Sequence, residues 1–250
     1  MKRLITLNPK YAGTTIQTLA NAVALDGLPD AAKIIYHARN TVAYIPGDDL
    51  VLKSFKVPGF IKSTIYTLLR PSKAQRAYEY AFMLEKLGIG TAEPLALIRC
   101  FNGLGLLSKS YFLSQNLSGY TTLRGIETRP DFHKIAKSLA TWMLQLHKKG
   151  VFMKDFTPGN IMFRSSDNGD YEFALVDINR MKFNDFDHRH HLLNFRSPLD
   201  TADGTSTLAR EYCRAASLPA DTHEEIMDIY SKHQSKMRRK AKFKNLFRRH

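Results

Sequence analysis

Three side chains in the second half of the sequence have the types and spacing of a site for phosphoryl transfer. Asp155 and Asn160 lie in the run KDFTPGN, residues 154–160, and Asp177 follows in VDI. Phosphoryl transfer needs metal ions that bridge phosphate oxygens and a carboxylate that orients the acceptor hydroxyl. We expect Asp155 to take or orient the acceptor proton. Asn160 and Asp177 are expected to bind Mg²⁺, which prefers hard oxygen ligands.

The surrounding segments strengthen a pattern that is weak by itself, since carboxylates and amides are common in loops. Helical spacing of apolar residues predicts an amphipathic helix over 132–149, directly before the loop. Residues 161–164 and 171–176 predict two strands, the second ending at Asp177. The alternative is a structural turn followed by an incidental aspartate. It is disfavoured because the first half of the chain contains matching partners.

A strand lysine is the first of these partners. Residues 50–55 predict a strand, and its alternation places Lys53 on the face opposite to Lys56. In protein kinases a strand lysine binds the α- and β-phosphates of the nucleotide. We expect this role for Lys53; the alternatives are Lys56 or an ordinary edge-strand lysine.

A helix glutamate is the second partner. Ser72 is a good N-cap for a helix that runs to about Leu87, where Gly88 ends it. In protein kinases a helix glutamate holds the strand lysine. Glu79, in the second or third turn, is the candidate. The alternatives are Glu85 or an ordinary solvated residue.

The remaining patterns predict an α+β fold with two lobes and nucleotide bound between them. Residues 1–115 form an N-lobe with an antiparallel sheet and one main helix. Residues 116–231 form a mostly helical C-lobe that contains the catalytic loop and metal site, and 232–250 form a basic tail. Strands of the N-lobe are expected at 30–37, 41–45, 50–55, 94–107 and 111–113. The apolar face of 60–69 either packs on these strands or dips into a membrane interface.

Charge and cysteine content indicate the cellular environment in which the protein is expected to work. Of the net charge of +14, nine positive charges come from Lys and Arg in 232–250, which contains no Asp or Glu. Basic and apolar residues alternate there, which suits a helix on an anionic membrane surface; a solvated tail or nonspecific nucleic-acid contact is the alternative.

The two distant cysteines indicate reduced thiols in a cytosolic protein. The run DHRHH, 187–191, is too contiguous for one metal ion and is expected to be a solvated loop.

Five segments resemble the Kdo/WaaP lipopolysaccharide kinase family of the protein-kinase-like superfamily, especially its compact Kdo-kinase-like members. They are VLKSFK (51–56), SKAQRAYEY (72–80), LGIGTAEP (87–94), KDFTPGN (154–160) and VDINRMKF (176–183). The chain departs from ordinary protein kinases in lacking a glycine-rich phosphate loop, an Asp-Phe-Gly and an Ala-Pro-Glu. Met153 and Lys154 also stand where His and Arg are usual.

The resemblance implies a two-lobed protein-kinase-like fold and ATP- and Mg²⁺-dependent phosphorylation of a sugar hydroxyl, on Kdo or heptose, in the lipopolysaccharide inner core. It implies catalytic roles for Asp155 and Lys53, nucleotide contacts by Lys53 and Glu79, and metal binding by Asn160 and Asp177. The lipid-linked acceptor implies a peripheral location at the cytoplasmic face of the inner membrane of a Gram-negative bacterium. No specific nucleic-acid partner is expected. The alternatives are a kinase of a protein or small soluble metabolite, or a non-catalytic kinase-like binding module.

Overall fold

A six-stranded antiparallel sheet is the framework of the first of two units in this computed structural model, which describes residues 2–38, 40–56 and 59–246. The strand order is β1-β6-β7-β4-β3-β2. The elements are β1 (Arg3–Leu7), α1 (Thr15–Asp26), β2 (Lys33–His37), β3 (Asn40–Ile45), β4 (Leu50–Lys56), α2 (Phe60–Leu68), α3 (Lys73–Lys86), β5 (Gly90–Thr91), β6 (Pro94–Phe101) and β7 (Leu107–Gln115).

Helix α1 packs on one face of this sheet, and the sequence did not predict it. Its buried stripe is Ile16, Ala20, Val23 and Ala24, which lies against strand residues such as Leu52. Half of the stripe is alanine, so its apolar periodicity is weak in the sequence. The lobe therefore contains a second long helix in addition to the main helix that the sequence predicted.

Helix α3 begins after Ser72, whose side chain accepts a hydrogen bond from the Gln75 amide (3.1 Å), as an N-cap should. Its Tyr78 ring packs edge-on against Phe112 of β7, with 6.5 Å between ring centroids. Phe112 is the register partner of Lys53 on β4. The predicted helix thus packs beside the predicted strand lysine, within one unit.

Helix α2 is fixed to the start of β7 while part of its apolar surface faces solvent. The Ser63 hydroxyl donates to the Leu107 carbonyl (2.5 Å), and the Leu107 amide donates to Thr67 (2.9 Å). Ile61 and Leu69 remain 76% and 80% exposed. One side of this helix therefore packs against the sheet, and apolar residues on its other side remain exposed to solvent.

The second unit begins at Gly119, and as far as Leu246, where its described residues end, it contains two small groups of paired strands and four helices. Helix α4 packs on α6, and α7 packs on α6 and on residues 193–196. β10 pairs with β8 and β11, and β9 pairs with β12. The elements are β8 (Thr121–Thr122), α4 (Phe132–Lys148), β9 (Val151–Met153), β10 (Ile161–Ser165), β11 (Tyr171–Leu175), β12 (Met181–Phe183), α5 (His188–Leu192), α6 (Ala202–Ala215) and α7 (Thr222–Leu246).

The boundaries of the units differ in detail from the predicted lobes. The first unit ends at Ser118 and also includes Asp177–Asn179, which the sequence assigned to the second lobe. Residues from Lys232 onward continue α7 as far as Leu246. No helix in the described part of the chain combines the length and apolar character needed to cross a membrane.

The strand pair β9–β12 lies next to the loop at residues 154–160, which the sequence predicts to be catalytic. β9 leads into that loop, and Met153 is in register with Met181 of β12. Where the pair ends, Gly150 has a φ of +67° and its carbonyl accepts a hydrogen bond from the Asn184 amide (2.9 Å). A Cβ at position 150 would lie 2.6 Å from the Asn184 carbonyl oxygen, so a side chain has no space there.

Candidate active site

Lys53 and Asp177, which are 124 positions apart in the sequence, form an ion pair in the first unit. The distance from Lys53 Nζ to Asp177 Oδ1 is 2.5 Å. The Lys53 side chain is 16% exposed and that of Asp177 is 37% exposed. Lys53 Nζ also lies 5.3 Å from the ring centre of Phe55, because residues two positions apart in a strand lie on the same face. Two residues chosen from separate motifs therefore meet.

The backbone at Asp177 has an unusual conformation, with φ +54°, a region in which Asp and Asn occur more readily than other non-glycine residues. The Asn179 amide nitrogen donates to Asp177 Oδ1. The buried Arg76 of α3 donates to the Asn179 carbonyl (2.9 Å) and to Pro71 (2.6 Å). Burial lowers the pKa of Arg76. Lys53 of β4 and Arg76 of α3 therefore both hold the segment that carries Asp177.

Glu79 does not approach Lys53 in this structure. It is exposed, and its Oε1 accepts a hydrogen bond from the Gln75 side chain (2.8 Å). Successive helix residues are rotated by about 100°, and it is the preceding Tyr78 that faces the sheet. The predicted Lys53–Glu79 ion pair is not formed. Contact between α3 and the Asp177 segment comes from Arg76, which the sequence analysis did not select.

Asp155 lies in the second unit, and one nitrogen of Arg180 contacts both oxygens of its carboxylate. Arg180 Nη1 is 2.9 Å from Oδ1 and 2.7 Å from Oδ2 of the carboxylate. Both side chains are partly exposed. The loop is anchored by the buried Phe156, whose ring lies 6.5 Å from that of Trp142 on α4. The carboxylate is therefore accessible while its backbone is fixed.

Asn160 is oriented by its own loop. Its side-chain nitrogen donates to the Asp155 carbonyl (2.9 Å), so its amide oxygen is the atom left for a metal ion. Its backbone carbonyl accepts a hydrogen bond from the Val176 amide (2.9 Å), and Asp177 is the next residue in the chain. The oxygens of Asn160 and Asp177 match the ligands that Mg²⁺ prefers.

A buried polar network supports the strand before the loop. His147 of α4 is hydrogen-bonded to the Tyr212 hydroxyl (2.7 Å) and to Asn194 (3.0 Å). The Asn194 side chain donates to the Met153 carbonyl (2.6 Å). Burial lowers the pKa of His147 to about 3, so the ring is neutral at pH 7. The ring also stacks on His191, 4.4 Å away.

His190 and His191 pack against aromatic rings, and His188 is exposed. Asp187 caps α5 by accepting from the His190 amide (2.7 Å), and the His190 ring stacks on Phe186 with 4.6 Å between centroids. Within the described ranges, no group of three or more His, Cys, Asp or Glu side chains is placed to hold a metal. The segment is partly exposed to solvent, as predicted, but it forms the short helix α5 where a loop was expected.

The connection between the two units is fixed to the first by Asp49, a residue that the sequence analysis passed over. Its carboxylate accepts from Asn116 (2.9 Å), Ser118 (2.6 Å) and Tyr44 (3.0 Å). Hydrogen bonds from Ser118 and Asn116 lower the pKa of Asp49. These contacts span 67 and 69 positions, so no local pattern in the sequence indicates them.

The fold matches that of solved kinases. WaaP in complex with acyl carrier protein aligns with a TM-score of 0.54 at 16% identity, covering 97% of this chain and 98% of that chain. The chain has a protein-kinase-like fold. The resemblance indicated by the five sequence segments is thus confirmed at the level of the fold, and so is the predicted fold class.

Two further solved structures align with lower scores. The Rio2 kinase complex with ADP, Mg²⁺ and phosphoaspartate, from Chaetomium thermophilum, has a TM-score of 0.48 at 15% identity and covers 93% of this chain and 82% of that chain. WbdD with a kinase inhibitor has a TM-score of 0.42 at 18% identity, with 76% and 46% covered. No protein-family model and no curated protein sequence matches the chain.

Proposed function

We propose that this chain is an ATP- and Mg²⁺-dependent kinase that phosphorylates a sugar hydroxyl, on Kdo or heptose, of the lipopolysaccharide inner core. The observation that carries the proposal is the 2.5 Å contact between Lys53 and Asp177, two residues that the kinase pattern selected independently. A scaffold without catalytic function has no need to keep a strand lysine and a strained aspartate together.

Each residue of the proposed site has one role. Lys53 neutralises nucleotide phosphates, and Asn160 and Asp177 hold Mg²⁺, which when bound supplies positive charge at the transferred phosphoryl group. Asp155 orients the acceptor hydroxyl and accepts its proton. Glu79 is left out of this assignment because it bonds to Gln75 and not to Lys53.

A lipid-linked sugar is favoured over a protein acceptor by the sequence that follows Asp177. Residues 177–183 read DINRMKF and form a short turn and β12, and no Ala-Pro-Glu follows them in the chain. Protein kinases depend on that later segment for their substrates. The resemblance of five sequence segments to the Kdo/WaaP lipopolysaccharide kinase family supports the same acceptor class by analogy.

Two surfaces support a peripheral position on an anionic membrane, which we propose to be the cytoplasmic face of the inner membrane. One face of α7 carries basic residues at helical spacing. That face is bordered by Ser231, Lys232, Ser235, Lys236, Arg239 and Lys240. The exposed Ile61 and Leu69 of α2 provide apolar side chains. Cationic and apolar helix surfaces of this kind bind lipid interfaces.

Phosphate transfer from γ-labelled ATP tests the proposal. Purified protein with Mg²⁺ is offered Kdo-lipid A, a heptose-containing inner-core acceptor, free sugars, small soluble metabolites and mixed proteins. We expect label on a lipid-linked sugar, and none with Asp155→Asn. Label on protein or on a soluble metabolite alone would assign a different kinase class. Lack of both transfer and nucleotide binding would identify a non-catalytic module.

A further inference from the structure

Arg124 lies directly beside the catalytic loop, although nothing in its local sequence marks it. The preceding residue, Leu123, is fully buried, and its amide donates to the carbonyls of both Pro158 (3.0 Å) and Ile161 (3.1 Å). These two carbonyls stand on either side of residues 159 and 160. The backbone of Arg124 is therefore held at a fixed place next to the loop.

The guanidinium of Arg124 rests on Gly159. A Cβ at position 159 would lie 2.5 Å from Nη2, 2.9 Å from Nε and 3.0 Å from Cζ of Arg124. Gly159 is not among the residues with positive φ, so its backbone conformation does not require a glycine. The glycine is explained by the guanidinium that occupies the space of a side chain.

This guanidinium has no matched carboxylate. Arg124 is exposed, and in the part of the chain that the structure describes no acidic group lies within ion-pair distance of it. The two acids bonded near this segment serve backbone amides. Glu127 accepts from the Thr201 amide (2.9 Å), and Asp200 accepts from the Gly125 amide (2.8 Å).

The other guanidinium at the loop differs in this respect. Arg180 is neutralised by Asp155, at 2.7 and 2.9 Å, while Arg124 is positioned and unpaired. A guanidinium presents planar paired donors that match a carboxylate or a phosphate in a two-point hydrogen bond. The loop thus offers one anion-binding group beside the residue that orients the acceptor.

We propose that Arg124 is a specificity-determining residue that binds a carboxylate or phosphate group of the acceptor. The inference rests on the proposed function, and it adds that the phosphorylated hydroxyl belongs to an anionic sugar. The acceptor is favoured over the nucleotide because Arg124 is attached to the loop of Asp155, within the second unit. Lys53, which neutralises the nucleotide phosphates in the proposed site, belongs to the first unit.

Paired acceptors test this assignment. An acidic sugar and its methyl ester, and a phosphorylated sugar and its dephosphorylated form, are compared in the wild-type protein and in Arg124→Gln. We expect the wild type to prefer the anionic member of one pair, which identifies the anion. In Arg124→Gln that preference falls about tenfold or more through the KM of the acceptor, as the loss of a charged hydrogen bond requires. The KM of ATP stays within about twofold.

Two further variants separate contact from charge. In Gly159→Ala the added methyl group displaces the guanidinium, so the preference falls although the arginine is retained. Arg210→Gln removes an exposed arginine of α6 in the same unit and keeps the wild-type preference. An unchanged preference in Arg124→Gln would overturn the inference. A higher KM for ATP with no change for the acceptor would do so as well, because the anion would then be the nucleotide.

A binding measurement separates this inference from the proposed activity. The affinity of the ADP-bound protein for inorganic phosphate is measured by calorimetry in wild type and Arg124→Gln. We expect at least a tenfold weaker affinity in the variant. If no sugar is phosphorylated but phosphate binding depends on Arg124, the proposed activity fails and the anion site stands. If phosphate binding is independent of Arg124, the anion site is refuted whatever the activity.

Discussion

Asp155 combines two properties that a group receiving an acceptor proton needs. Its carboxylate is partly exposed, and Arg180 fixes it by two hydrogen bonds. Restricting a carboxylate to one orientation lowers the entropy lost when the acceptor hydroxyl binds to it. Arg180 follows Asp177 by three positions, so the segment that carries the proposed metal ligand also orients the proposed base.

Replacing Asp155 by Asn removes the proton acceptor and keeps the shape of the side chain. We expect kcat to fall about 10²- to 10⁴-fold, the usual contribution of a general base, with little change in nucleotide affinity. Single-turnover transfer and ADP titration measure the two quantities. Asp167→Asn, in the exposed β10–β11 turn, is the matched control. Wild-type turnover in Asp155→Asn would remove this residue from the proposed site.

Asp177→Asn tests the proposed metal ligand. The change removes the charge that Lys53 and Mg²⁺ share, so we expect the Mg²⁺ concentration for half-maximal activity to rise at least about tenfold, as loss of a charged ligand implies. A Mg²⁺ titration at saturating ATP measures the shift. An unchanged Mg²⁺ requirement would contradict the assignment.

Side-chain identity and strand parity were enough to choose Lys53 and Asp177, because the chemistry restricts the candidates to a few residue types. They were not enough for Glu79, because one helix position rotates a side chain by about 100° and moves it from the sheet to solvent. Arg76 and Arg124 were not assigned because each contacts a residue at least 35 positions away, and no local pattern encodes such contacts.

Among the elements, α4 connects the chemistry of the loop to the stability of the second unit. It carries Trp142, which packs against Phe156 of the loop. One turn further on, His147 is buried and neutral and is linked through Asn194 to Met153. The amphipathic pattern predicted this helix well, since its stripe is long and strongly apolar. The same approach missed α1, because half of its buried stripe is alanine.

The depressed pKa of His147 predicts acid sensitivity. The unfolded chain takes up a proton near pH 6.5, and the folded chain resists it until about pH 3, so stability falls as the pH drops through this window. Between pH 7 and pH 5 the free energy of unfolding should fall by about 2 kcal/mol from this group. Urea denaturation at the two pH values measures it.

A histidine on the same helix supplies the control for this experiment. His147→Gln should lower stability at pH 7 and lose most of the difference between pH 7 and pH 5. His133→Gln removes an exposed histidine of α4 and should keep that difference. The same pH dependence in His147→Gln would show that other groups cause it.

For the molecule as a whole, the uneven distribution of charge matters more than the net value of +14. The basic residues after Lys232 continue a helix that packs on the second unit at its start, so the positive surface is attached to the folded body. The sequence pattern located these charges but predicted a basic tail, whereas the residues as far as Leu246 continue α7. Their helical continuity depends on the contacts of the residues that precede them.

Replacing Lys236, Arg239 and Lys240 by Gln tests the proposed membrane contact. Each cation near an anionic bilayer contributes about 1 kcal/mol, so binding to vesicles with anionic lipid should weaken by about two orders of magnitude. Co-sedimentation at low and high salt measures the loss. Three exposed lysines of the first unit, Lys33, Lys86 and Lys109, serve as the matched control. Undiminished binding of the α7 variant would refute this contact.

The backbone at Gly150 restricts which substitutions the protein tolerates at this position. The position touches no reacting group, yet its positive φ and the 2.6 Å approach of the Asn184 carbonyl leave no space for a side chain. Random mutagenesis followed by selection for activity should therefore recover almost no variant at position 150. Exposed positions of the β10–β11 turn should accept many. We expect many substitutions to be tolerated at exposed positions while residue 150 remains a glycine.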